Sequence, residues 1–249
     1  MTVVGLLHPG EMGSALGAAL RENGHGVLWA SEGRSAETAA RAAAFEDVGT
    51  ARELARAADV VISVCPPHAA REVAASVDGF DGIYVDANAV SPTTAREIGG
   101  VDGGIVGPPP TDGRTTRLYL SGPDAEQVAS LFAGTAVEPR VLGDGVGTAS
   151  AMKLAFAAWS KGTAAMLLTV ARLAEHHGVE EPLFAEWHAW HPELLDRLER
   201  ARHSAHLKGW RWSGEMEEIA ETFAAAGLPD GFHRAAAEVF REFRRPGSS

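Results

Sequence analysis

The chain has 249 residues, 45% hydrophobic and 22% charged, enough to bury an ordinary core in one large domain or two small ones. Lys and Arg number 22 against 33 Asp and Glu, and the resulting charge of −11 argues against a general nucleic-acid or anionic-membrane binder. The single cysteine, Cys65, excludes an intramolecular disulfide framework and a cysteine-built zinc finger, and it fits a reducing, cytoplasmic setting.

From Met1 the chain enters an apolar run with no basic segment ahead of it, which reads as a first strand rather than a signal peptide. The pattern then predicts a strand over 2–7, a helix over 11–22, a strand over 26–30 and an alanine-rich helix over 35–43. A nearly all-apolar strand over 59–64 suits a parallel sheet covered on both faces. A helix over 67–76, a strand over 82–86, a helix over 92–98 and a strand over 101–106 follow. Strands over 116–121 and 136–142 flank a helix over 124–132. This alternation predicts a doubly wound, Rossmann-type α/β domain over 1–143.

After Gly143 the strand signal stops, and 144–249 reads as an all-helical domain. Residues 146–177 contain no proline and predict one long helix, about 48 Å at 1.5 Å per residue. Shorter helices are expected over 182–190, 192–206, 214–226 and 232–244, and residues 244–249 as a disordered tail. So long a helix exceeds what the remaining helical chain covers, so a homodimer is expected; the alternative is a monomer whose helix breaks near Gly162. Lys153, Lys161 and Arg172 interrupt the apolar stretch 151–174 and argue against a membrane span.

The junction between first strand and first helix reads Gly5-Leu-Leu-His8-Pro9-Gly10-Glu11-Met12-Gly13. A dinucleotide site needs that turn tight and free of side chains, so that a pyrophosphate meets the N–H groups of the helix start. Gly10 would admit the pyrophosphate and Gly13 would let helix and strand pack closely. His8 replaces the first glycine of the usual G-x-G-x-x-G, and Pro9 fixes one φ angle. At the second strand end, Glu32 would accept from a ribose 2′-OH and suit NAD, whereas Ser31, Arg34 and Ser35 would suit the 2′-phosphate of NADP. The balance favours NADP, and caps at Ser31 and Ser35 fit either. Two further strand ends face the same crevice. Cys65-Pro66-Pro67 would stiffen a loop against the nicotinamide ribose, and Asn88 would bond the carboxamide or ribose. Cys65 has no basic neighbour in sequence and reads as a small buried residue rather than a nucleophile.

The sequence resembles the β-hydroxyacid dehydrogenase superfamily, which includes 6-phosphogluconate and 3-hydroxyisobutyrate dehydrogenases, and most of all an uncharacterised bacterial branch of it. The resemblance rests on Gly5…Gly10-x-Met12-Gly13, Asp86-Ala-Asn88-x-x-Ser91-Pro92, the Val101–Gly107 segment and the glycine-rich entry to the long helix with Lys153. It implies a Rossmann domain, a helical dimerisation domain and a substrate site in the cleft between them. Departures stand beside it. Val106, Gly107 and Pro108 occupy the segment where the family holds a substrate carboxylate with a serine and paired glycines. The asparagine one turn after the lysine is Ala157, and the lysine–aspartate pair before Ile219 reads Glu215-Met216.

Hydride transfer to or from a carbonyl carbon needs a proton donor beside the carbonyl oxygen. Only Lys153, Lys161 and Lys208 break a cation set otherwise made of arginine, and arginine does not release its proton. Lys153, set in an apolar helix, is therefore the expected proton donor/acceptor; the alternative is a lysine snorkelling at a surface. Ser150 and Trp159 would border the same pocket. Lys208-Gly-Trp210-Arg-Trp212 would form a lid, a substrate wall or interface packing. The i,i+3 pairs His188/His191 and His203/His206 lack an H-E-x-x-H context, and no metal site is expected. The expected activity is an NAD(P)-dependent dehydrogenase or reductase acting on a small carbonyl or β-hydroxy compound, with an imine reductase and a non-catalytic nucleotide-binding protein as alternatives.

Overall fold

The computed structural model describes residues 1–111 and 113–244. It divides into two compact units, Met1–Lys153 and the chain from Leu154 onward, with the division inside a long helix. Gly143, at the end of the expected N-terminal domain, lies in the loop before that helix. Most of the tail expected to be disordered, 245–249, lies outside the described residues.

The first unit is an eight-stranded sheet in the order β3-β2-β1-β4-β5-β6-β7-β8. Its strands are β1 (Val3–Leu6), β2 (Gly26–Trp29), β3 (Glu46–Asp47), β4 (Val60–Ser63), β5 (Ile83–Asp86), β6 (Val101–Val106), β7 (Thr116–Ser121) and β8 (Val137–Val141). Every pairing is parallel except β6 with β7. The chain leaves β3 at one edge and returns as β4 beside β1, so the strand order reverses between β1 and β4. Crevices for ligands in doubly wound sheets lie at such reversals, off the carboxyl ends of the strands. Val4, Leu6, Val60, Ile62 and Val85 are buried with Leu16 and Leu20 of α1 (Glu11–Glu22) on one face. Leu7, Val61 and Leu54 of α3 (Ala51–Ala57) form the core of the other. Both faces are therefore covered, which is why β4 reads as an unbroken apolar run.

Most expected elements stand within a residue or two, including α2 (Ala36–Arg41), α5 (Pro92–Ile98) and α6 (Ala125–Ser130). The helix expected over 67–76 begins as a 3-10 turn, Pro67–Ala69, and continues as α4 (Ala70–Ala75). Two elements were not expected. β3 is two exposed acidic residues and carries no apolar signal. α3, in contrast, has a full capping box: Thr50 accepts from the Glu53 N–H while the Glu53 carboxylate accepts from the Thr50 N–H. Pro139 sits in β8, an edge strand, the place where a sheet tolerates a missing donor.

The second unit is helical. It takes up most of α7 (Thr148–His176, 29 residues), followed by α8 (Glu180–Trp190), α9 (Glu193–Ala225) and α10 (Gly231–Arg241). α9 corrects the sequence reading. Residues 192–206 and 214–226, expected as two helices, form one 33-residue helix that runs through Lys208-Gly-Trp210-Arg-Trp212. Gly209 is no break: it is buried, and a Cβ there would lie 2.9 Å from Cγ of Phe243, so the glycine admits an aromatic ring against the helix. Ala157, Ala165, Ala171, Ala201, Ala205, Ala236 and Ala237 line the core of this unit with Leu154, Leu198, Met216, Ile219 and Phe240. Small residues at these contacts let helix axes approach closely.

α7 does not break at Gly162, which is buried with Phe232 against it. By length and composition alone α7 would also cross a membrane, and 39% of its most apolar 18-residue window is buried. Its two sides differ. Leu154, Ala158, Ala165, Leu168 and Ala171 face the core, whereas Phe156, Trp159, Met166 and Leu173 are exposed by 48%, 67%, 47% and 58%. The exposed set, with Thr163 and Val170 between, alternates steps of three and four residues, the spacing that keeps one seam along a helix.

Candidate active site

β1 hands the chain to α1 through Leu7-His8-Pro9-Gly10. The Gly10 N–H donates to the His8 carbonyl at 2.8 Å, and the Gly10 carbonyl accepts from the Ser14 N–H at 2.9 Å and the Ser14 hydroxyl at 2.7 Å. Gly10 offers α1 no side-chain cap. A Cβ on Gly13 would lie 2.4 Å from the His8 carbonyl oxygen, so strand end and helix start approach as closely as backbone allows. A Cβ on Gly10 would meet nothing within 4 Å and would point into open space over the turn. Pro9 is buried, Met12 packs against the sheet core and Glu11 is exposed. Burial, helped by the Arg34 charge, lowers the His8 pKa to about 4, so the ring is neutral near pH 7. Among the described residues its buried Nδ1 has no hydrogen-bond partner.

At the tip of β2 the Gly33 backbone turns at φ +70° and the Arg34 N–H donates to the Ser31 carbonyl at 3.0 Å. Glu32 and Arg34 are both exposed, and the Arg34 charge acts on His8 and on Cys65. The two serines are engaged locally. Ser35 caps α2 by accepting from the Thr38 N–H at 3.2 Å. Ser31 helps to hold Asp47 below the usual carboxylate range, second to the Gly49 N–H.

The ends of β4 and β5 carry a buried polar cluster. Asn88, expected to reach a ligand, is 3% exposed and committed to protein. Its Oδ1 accepts from the Cys65 N–H at 2.5 Å, and its Nδ2 donates to the Ser63 hydroxyl at 3.1 Å and to Asp86. It ties two strand ends together, because a buried amide finds its partners in the nearest backbone and side chains. Burial pushes the Cys65 thiol up to about 11, an inert group rather than a nucleophile. Pro66 is exposed and Pro67 opens the 3-10 turn. Asp86 is 1% exposed; burial, with Asp102 adding to it, raises its pKa to about 6 against the opposing Asn88 N–H. Among the described residues Asp86 Oδ2 has no partner.

The last part of this unit joins β6 to the start of α7. Ser150, expected to border a substrate pocket, is 1% exposed and turned inward, its hydroxyl donating to Asp102 at 2.5 Å. Lys153 is half-buried, and its Cβ lies 2.9 Å from where Gly104 of β6 would carry one. At the end of β6 Gly107 is exposed with φ +129°, and the Pro108 carbonyl accepts from the Thr116 hydroxyl. In the second unit Trp159 and Lys208 are exposed, and the Trp210 ring lies 5.7 Å from the Arg211 guanidinium. Lys161 pairs with Glu215 and lies 5.9 Å from the Trp212 ring centre. His188 sits in the last turn of α8 with His191 as its C-cap, and His203 and His206 are exposed on α9. Among the described residues no three metal-ligating side chains converge.

Residues 3–90 match the family described as NADP oxidoreductase, coenzyme F420-dependent, and residues 174–243 match a domain of unknown function, DUF1932. The structure of the conserved protein MTH1747 of unknown function, reported as similar to 3-hydroxyacid dehydrogenases, is 29% identical with a TM-score of 0.71 over 96% of each chain. The fold is 3-hydroxyacid dehydrogenase-like. The Mycobacterium tuberculosis 3-hydroxyisobutyrate dehydrogenase shares the fold at 19% identity, TM-score 0.73, over 97% of this chain and 93% of that one. An uncharacterised 28.5 kDa protein of Methanothermus fervidus is 33% identical over 141 residues, 53% of this chain and 54% of that protein. The match thus spans about half the length of that relative.

The sequence reading missed how Asp86 and Asp102 are used. A signal was present: each is an acidic residue inside or ending an apolar strand, where a carboxylate must find donors or keep its proton. Folded Asp86 holds its proton up to about pH 6, whereas the unfolded group loses it near 4. The wild type therefore loses stability as pH rises through that window, while Asp86→Asn does not. Thermal and urea melts from pH 4 to 7 should show the variant gaining on the wild type by on the order of 2 kcal/mol. His8, which acts in the opposite sense, is common to both proteins and cancels. A difference that does not change with pH would refute the assignment.

Proposed function

We propose that this chain is a nicotinamide-dependent oxidoreductase, NADP-preferring, that interconverts a small carbonyl compound and its β-hydroxy or related alcohol. The observation that carries the reading is the β1–α1 turn at the strand-order reversal, with Gly13 pressed on the His8 carbonyl and Gly10 open to ligand. Residues 8–13 fit a pyrophosphate, since a glycine turn feeding a helix start supplies N–H donors and a positive dipole end. Arg34 is the cation for a 2′-phosphate, and its charge already bears on His8 of that turn. Cys65, Pro66 and Pro67 border the nicotinamide ribose as a stiff edge rather than as polar ligands. The cofactor, when bound, supplies or accepts the hydride.

Lys153 moves the proton. In the reducing direction its ammonium donates to the carbonyl oxygen as the carbon gains hydride, giving the alcohol and a neutral amine; oxidation runs the reverse. Gly107 and Pro108 offer backbone but no side-chain hydroxyl, so the substrate is held differently from a simple hydroxy acid. With Asn88 and Ser150 committed to protein, Lys153 is the polar side chain at β6 and the start of α7 assigned to the reaction.

The working form is a soluble, cytoplasmic homodimer. Phe156, Trp159, Met166 and Leu173 form an exposed apolar seam on α7, opposite the face buried in its own unit. A seam of that size on a soluble chain favours a protein partner, and a second copy brings an identical one.

NADPH oxidation across a panel of carbonyls and imines tests the chemistry. Lys153→Ala should lower turnover on the best carbonyl by about 10²–10⁴. Full turnover by the variant would remove Lys153 from the mechanism, and a preference for imines would replace the carbonyl reading. Arg34→Ala should weaken NADPH more than NADH; equal losses would overturn the NADP preference. Sedimentation should give a dimer for the wild type and a monomer for Met166→Glu, whereas a wild-type monomer at micromolar concentration would refute the pairing.

A further inference from the structure

We propose that Asp102, Ser121 and Gly104 form a seat on β6 and β7 that positions Lys153. The inference rests on the proton-transfer role given to that lysine. Asp102 and Ser121 are cross-strand partners of the β6–β7 ladder, 1% and 0% exposed. The Ser121 hydroxyl donates to Asp102 Oδ2 at 3.0 Å and accepts from the Ala149 N–H at 3.0 Å. Asp102 Oδ2 also accepts from the Ser150 N–H at 2.9 Å, and its Oδ1 accepts from the Ser150 hydroxyl at 2.5 Å.

The first amides of a helix have no partner within it and are ordinarily capped by the residue just before. Here the sheet caps Ala149 and Ser150 of α7, with a carboxylate at the positive end of the helix dipole. Because the donors and acceptors are buried, the register of this first turn on β6 is fixed: a shift of one residue would orphan every one of them.

Gly104 sets the second contact. It lies two residues beyond Asp102 on the same face of β6, and a Cβ there would stand 2.7 Å from the Ala149 carbonyl oxygen and 2.9 Å from Lys153 Cβ. The seat thus grips the helix at Ala149 and Ser150 and touches it again at the root of Lys153, one turn on. A lysine stem has four rotatable carbons, so the reach of its nitrogen is set by how firmly that root is held. Asp102, Ser121 and Gly104 need not touch the substrate; they act through Lys153.

Gly104→Ala, Asp102→Asn and Ser121→Ala, each made in the wild-type and Lys153→Ala backgrounds, test this. Asn at 102 keeps the side-chain shape but removes the charge and turns one of the two acceptor oxygens into an NH2 donor, and together with Ser121→Ala it leaves the test intact if Gly104→Ala fails to fold. In cofactor-free protein, hydrogen exchange at residues 149–153 should quicken in Ser121→Ala and Asp102→Asn while the sheet core stays protected. With NADPH and the best carbonyl, Gly104→Ala should lose on the order of 10²-fold in kcat, the cost of a displacement near 1 Å. NADPH affinity and KM should change little. In the Lys153→Ala background the same substitutions should leave the residual rate unchanged, since a group that acts through the lysine has nothing left to position. Unchanged exchange at 149–153 would overturn the seat. Equal fold-losses in both backgrounds would overturn positioning while sparing the role of Lys153. Full turnover by Lys153→Ala alone would remove the role and the seat's function together.

Discussion

Two carboxylates lie buried side by side in the middle of this sheet, and the chain meets their cost in two different ways. Asp86 and Asp102 are register partners on adjacent parallel strands, each 1% exposed. An isolated buried charge is untenable, so each must be hydrogen-bonded or neutral. Asp102 collects three donors, two of them from the opening turn of α7. Asp86 collects the Asn88 donors on one oxygen and keeps its proton toward neutral pH, with the neighbouring Asp102 reinforcing the shift. Those choices bind Asn88 to the end of β4 and bind the start of α7 to β6.

The same economy explains why several polar residues that look like ligands are structural. Asn88 holds the Cys65 amide, Ser150 holds Asp102 and Ser35 caps α2. The features proposed to meet the cofactor are backbone and cation instead. They are an uncapped helix start over Gly10, a histidine kept neutral by burial, and an arginine whose field reaches it. A dinucleotide is well matched by such a surface, because most of its recognition goes through phosphate. In the helical unit the equivalent division is between the two sides of α7, one packed through alanine and leucine and the other a bare seam of large apolar side chains.

Strand–helix alternation, the glycine turn at 10–13 and the switch to helix after residue 143 were legible because each is a local pattern: period, turn chemistry and capping act over a few residues. Where the reading failed, the cause was context. Gly209 looks like a helix stop in isolation, yet a ring packed against it makes the glycine a contact inside one continuous helix. β3 left no trace because an edge strand two residues long needs no apolar face.

The sequence by itself determined the fold class, the glycine turn between β1 and α1 and the presence of a rare lysine in an apolar helix. Only the tertiary structure decided which polar side chains are free to meet a ligand and which are spent on the protein. The reason is that hydrogen bonds between distant strands, such as Asp102 with Ser121 and Ser150, leave no spacing in the chain. They exist once β6, β7 and the head of α7 have been brought together.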